Sequence, residues 1–116
     1  MRPISIKYVL GNRYLAENAF LAETFLERAL GLLGRESLAN GEGLWLKPCA
    51  SIHTFGMRFS LDLIFLDAQF RVVKVVENLK PWRLAFASAA SAVELPTGVL
   101  KQIAVKAGDK LQILEG

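Results

Sequence analysis

A chain of 116 residues, 53% hydrophobic and 22% charged, has the size of one domain and is far too apolar for a disordered segment. Its formal charge of +3 is the balance of 14 Lys and Arg against 11 Asp and Glu, the basic residues are scattered along the chain, and only Arg71 to Lys74 and Lys80-Pro81-Trp82-Arg83 approach the basic, aromatic-interleaved stripe of a nucleic-acid binder, so the pattern weighs against that partner. A single cysteine excludes an internal disulfide, and neither a secretory leader at Met1 to Lys7 nor an apolar stretch able to cross a bilayer of about 30 Å is present, so the cytoplasm is the expected compartment.

Ile4, Ile6 and Tyr8 alternate with Ser5 and Lys7, which predicts a half-buried strand at the start of the domain. Thr24-Phe25-Leu26-Glu27 has the spacing of a capping box, in which the Thr oxygen and the Glu carboxylate satisfy free backbone donors at a helix start. Phe25, Leu26, Ala29, Leu30 and Leu33 then recur at helical spacing, and Gly34 can end a short amphipathic helix. From Gly41 onward the texture changes to short apolar runs between turn residues: Leu44-Trp45-Leu46, Leu61 to Leu66 and Phe70 to Val76. Asp67-Ala68-Gln69 joins the last two as a hairpin, because an Asp carboxylate can accept from backbone groups further along a turn.

Trp82 to Phe86 and Ala92 to Leu95 read as a second hairpin around Ala87 to Ala90, although an Ala-rich segment fits a helix equally well. Pro96-Thr97-Gly98 stops that element, Val99 to Ile103 has room for one or two helical turns, and Gly108-Asp109 leads into a last strand, Lys110 to Leu114. Gly43, Gly98 and Gly108 read as turn glycines, and Gly31 as a close-packing position. With no repeat and no linker, residues 1–116 form one domain. The expected class is mainly β (α+β): a compact antiparallel barrel or sandwich, with one short helix in the N-terminal half and a short helical turn near the C-terminus.

Three ordered motifs carry a resemblance: Arg28-Ala29-Leu30-Gly31-Leu32-Leu33-Gly34-Arg35, Gly41-Glu42-Gly43-Leu44-Trp45, and Leu61-Asp62-Leu63-Ile64-Phe65-Leu66-Asp67. Together with Val93-Glu94-Leu95-Pro96-Thr97-Gly98 and Ala107-Gly108-Asp109-Lys110, they resemble the bacterial and archaeal family known as domain of unknown function 192, over about residues 22–114. The resemblance implies a small β-rich fold and no particular reaction. Where many members of that family carry Trp-Met-Lys-Asn-Thr, this chain has Ser51-Ile52-His53-Thr54-Phe55-Gly56-Met57-Arg58. His53 stands near the Trp position and Gly56 near the Asn position, which suggests a different ligand if the stretch lines a pocket.

Cys49, His53 and Asp62 are the candidate catalytic residues, since an imidazole beside a thiol can form an ion pair and a carboxylate can orient the ring. In an extended strand Cys49 and His53 would lie about 13 Å apart, so only a turn after Pro48 brings them together. His53, Arg58 and Asp62 are the candidate ligand-binding set, with Arg58 holding an anion or carboxylate and His53 donating a hydrogen bond; the plainer alternative is that Asp62 caps a turn or pairs with Arg58. Trp45 and Trp82 read as packing residues. One Cys and one His with scattered carboxylates do not have the spacing of a metal site, and no phosphate loop is present, so no metal or cofactor is expected. The leading expectation is a noncatalytic binding or accessory domain for a small polar ligand or a protein partner, acting through Ser51 to Asp62. The alternatives are a small hydrolase or transferase using His53 with Asp62, and an interaction module that offers a strand edge to a partner.

Overall fold

The position of each strand follows from how many of its faces are apolar. The computed structural model describes residues 1–24, 27, 28, 31, 32 and 35–115. Its elements are β1 (Arg2–Tyr8), β2 (Arg13–Ala22), β3 (Glu42–Leu46), β4 (Ser51–His53), β5 (Leu61–Leu66), β6 (Val72–Leu79), β7 (Leu84–Phe86), β8 (Ser91–Pro96), α1 (Val99–Gln102) and β9 (Leu111–Glu115). Every residue of β5 and β8 is buried, as expected of strands covered on both faces, and they lie inside a seven-stranded sheet of order β6-β5-β8-β3-β2-β1-β9. β4 and β7, which bury only their middle residues, form a separate two-stranded sheet. The chain is mainly β, and the large sheet curls into a half-barrel whose outermost strands approach each other at one end, through a bridge between Arg71 and Lys110 and a bond from Val72 N to Asp109 O of 2.7 Å.

Two clusters of apolar side chains occupy the two faces of this sheet. One gathers Ile4, Ile6, Trp45, Ile64, Val93 and Leu95 with Leu100 of α1 and the following Ile103 and Val105. The other gathers Leu44, Leu46, Leu61, Leu63, Phe65 and Ala92 with Ile52 and Ala85 of the small sheet, Met57, Leu32 and Leu38. Successive residues of β5 and β8 alternate between the clusters, as the pleat requires.

The Asp67 hairpin forms as anticipated, Gln69 N and Arg71 N donating to Asp67 Oδ1 at 2.8 and 2.9 Å. The second anticipated hairpin does not form. β7 and β8 are both strands, but β7 pairs with β4, whereas β8 lies between β5 and β3, where its two apolar faces are covered. β2 has no counterpart among the predicted elements and supplies the parallel pairing of the sheet, with β3. Gly43 also departs from expectation, being a strand residue; a Cβ there would lie 3.0 Å from Ala16 Cβ and 3.2 Å from Leu95 Cδ2. Gly43→Ala is therefore expected to destabilise the fold by about 1–3 kcal/mol through overpacking, read as a lower denaturant midpoint.

Phe25, Leu26, Ala29, Leu30, Leu33 and Gly34, on which the expected N-terminal helix rests, lie outside the described residues. The capping box itself is made: Glu27 N donates to Thr24 Oγ1 at 3.0 Å and Thr24 N to Glu27 Oε1 at 3.2 Å. Arg28 N and Gly31 N donate to the carbonyls of Thr24 and Glu27, so a helical turn brings Arg28 and Gly31 onto the second apolar face.

Candidate functional site

Alternation along β8 has a chemical consequence. Val93 and Leu95 enter the first cluster and Ala92 the second, so Glu94 faces the second, opposite Leu44 of β3 and Leu63 of β5. Glu94 is 4% exposed, and among the described residues no donor holds its carboxylate; burial alone pushes it up to about 7 from an ordinary 4.5. A cavity of about 300 Å³ opens over it, walled by Arg28 and Gly31 of the helical turn, by Pro48 to Ser51 after β3, and by His53, Phe55 and Met57. That volume is at the small end of ligand sites.

Cys49 and His53 both line this cavity, brought there by the turn after Pro48. The Cys49 thiol donates to Ser51 O at 3.1 Å, and burial raises it above its ordinary range, so it is not prepared as a thiolate. His53 is exposed, and its ring stacks on Phe55 with centroids 5.1 Å apart; Phe55 in turn stacks on Trp82 at 5.9 Å. This ladder is held by Thr54, fully buried beneath it. Its hydroxyl donates to Lys80 O at 2.7 Å and accepts from Arg83 N at 2.9 Å, while Trp82 N donates to Thr54 O at 3.0 Å. Trp82 is 65% exposed at the outer end of the ladder, whereas Trp45 is buried against Phe70.

Arg58 and Asp62 are not brought to this cavity. Arg58 points into solvent and pairs with Glu36 at 3.3 Å. Asp62, 1% exposed, follows the alternation of β5 onto the opposite face, where it accepts from Asn78 N at 2.8 Å, Gly98 N at 3.1 Å and Leu100 N at 2.9 Å. It ties the start of α1 and the end of β6 to β5, and His53 lies across the sheet from it. Among the described residues no three His, Cys, Asp or Glu side chains stand together as metal ligands.

Glu94 is not among the residues that sequence reasoning singles out for chemistry. Its one local signal is a carboxylate inside the apolar run Ala92 to Leu95, where a solvent-facing charge would be out of place.

The sequence profile that matches residues 9–113 describes DUF192, "Uncharacterized ACR". The chain belongs to this family. Among DUF192 relatives, a UPF0127 protein of Pyrococcus horikoshii is 42% identical over 97 residues, covering 79% of this chain and 84% of its own length. One of Pyrococcus abyssi is 36% identical over 100 residues, covering 79% and 82%. These relatives are archaeal. The fold is shared with a crystal structure of a protein of unknown function from Novosphingobium aromaticivorans, with a TM-score of 0.81 and 25% identity over 95% of this chain and 83% of that one. It is shared too with a Sinorhizobium meliloti protein named as a candidate transcription regulator, with a TM-score of 0.80 and 20% identity over 95% and 91%; that likeness bears on the fold alone. Among the described residues of this DUF192 chain no helix is long and apolar enough to cross a membrane.

Proposed function

We propose that this chain is a noncatalytic binding domain whose site is the cavity between the Arg28 turn, the loop after β3 and the His53–Phe55 wall. One observation carries the reading: a buried carboxylate with no partner among the described residues opens onto a cavity of ligand size. Leaving such a group unpaired destabilises the fold, and a ligand that hydrogen-bonds it removes part of that penalty on binding. A His53–Asp62 dyad has no support in the geometry, because the oxygens of Asp62 already serve backbone donors on the far face.

The reading is tested by thermal denaturation of the parent and of Ala50→Trp against small amines, polyols, nucleosides and carboxylic acids. Ala50 is exposed and lines the cavity, so an indole there fills the mouth without displacing core. A ligand at 100 times its Kd should stabilise the parent by about 2.7 kcal/mol, a rise of several degrees in Tm, and leave the variant unmoved. Equal shifts in both proteins, or none across the panel, would overturn the reading.

A further inference from the structure

The walls of the cavity also narrow the chemistry of its occupant, an assignment that rests on the cavity being the binding site. Glu94 supplies an anionic acceptor at the buried end. His53 and Phe55 line one side with their rings, stacked at 28° and buttressed by Trp82, which stacks on Phe55. Met57 adds a polarizable apolar contact. A buried carboxylate at the end of a cavity walled by ring and thioether groups is complementary to an organic cation, since the carboxylate pairs with the charge and the walls pack against the carbon chain beside it.

One charge opposes this. Arg28 lines the same cavity; its guanidinium donates to Glu23 O at 3.0 Å, and among the described residues no hydrogen bond joins it to Glu94. The other titratable groups on the cavity are His53 from β4 and Cys49 from the loop after β3. Neither makes a hydrogen bond to Glu94, and Arg28 does not hold its carboxylate in the ordinary range.

We infer that the cavity binds a small organic cation, an alkylammonium or alkylguanidinium group, with the charged head on Glu94 and the adjoining carbon chain against His53, Phe55 and Met57. Such a ligand needs the carboxylate ionised. Because burial places that ionisation near pH 7, affinity for a cation rises with pH through neutrality, by about tenfold between pH 6 and pH 8.

The test is an NMR titration of the intact chain with butylammonium and butylguanidinium, with butyramide and butyrate as neutral and anionic counterparts of similar size, at pH 6 and pH 8. The expected result is that both cations shift the amide resonances of Cys49, Ser51 and His53. They should bind about tenfold more tightly at pH 8, and Glu94→Gln should weaken them at least tenfold at pH 8 and remove the pH dependence. Phe55→Ala, at an exposed position, should weaken the cations severalfold with Glu94 intact. Butyramide or butyrate binding in the cavity as tightly as the cations, or cation binding that survives Glu94→Gln, would overturn the cation assignment while the cavity remained a binding site. Absence of binding by all four probes at these resonances would overturn the cation assignment, and the wider panel against Ala50→Trp separately decides whether the cavity binds anything.

Discussion

Glu94→Gln is expected to make the protein more stable above pH 7 by about 3 kcal/mol. In the unfolded chain this carboxyl ionises near its ordinary 4.5; in the fold it holds its proton to about 7. Below pH 4.5 both states carry the proton and the group contributes no penalty. Between those values unfolding releases a proton, so stability falls as pH rises, by about 1.4 kcal/mol per pH unit, and the loss is complete above pH 7. Glutamine has the same shape without the charge and escapes that loss. Glu27, Glu42 and Asp109 are lowered by their hydrogen bonds and so act in the opposite sense, losing stability as pH falls. The informative quantity is therefore the difference between parent and variant. Urea denaturation of both at pH 4.5 and pH 8 measures it: curves that coincide at the lower pH and separate at the higher one are expected, whereas a constant offset would show that Glu94 does not titrate between them.

The second large effect belongs to Asp62. Replacing it by Ala strips the acceptor from the backbone N–H groups of Asn78, Gly98 and Leu100, the last of them buried, and is expected to destabilise the fold by about 3–4 kcal/mol. Amide hydrogen exchange at Gly98 and Leu100 should accelerate with the loss, since these bonds hold α1 to the sheet. Asp62→Asn keeps one acceptor oxygen and should lose roughly half as much. Ligand affinity of the folded fraction should be unchanged, because the side chain lies on the far face from the cavity. A variant with parent-like stability and no binding would instead place Asp62 in the site.

These two carboxylates sit in strands that the apolar runs of the sequence already outline, one at Leu61 to Leu66 and one at Ala92 to Leu95. Their roles are not equally visible there. Asp62 stands beside the polar stretch Ser51 to Arg58 in sequence, which invites grouping it with His53 and Arg58, yet the pleat sends it to the opposite face. Glu94 stands 41 residues from His53 in the chain, and only the register of β8 between β3 and β5 carries it beneath the segment that bears Cys49 and leads into β4 with His53.

Local patterning by itself determined the β-rich class, the opening strand, the Asp67 hairpin, the capping box at Thr24 and Glu27, and the helical turn after Gly98. Each rests on residues within a few positions of one another, where spacing translates directly into geometry. The tertiary structure alone decided that β7 pairs with β4 and not with β8, that Gly43 is a packing glycine, and that Asp62 and Glu94 face opposite ways. Strand order and register follow from which apolar faces can be covered together, a contest among distant segments that no local pattern contains. The sequence therefore determined the class of fold and marked His53 and Cys49 as residues that a bend after Pro48 could bring together, and tertiary packing decided which carboxylate they would meet.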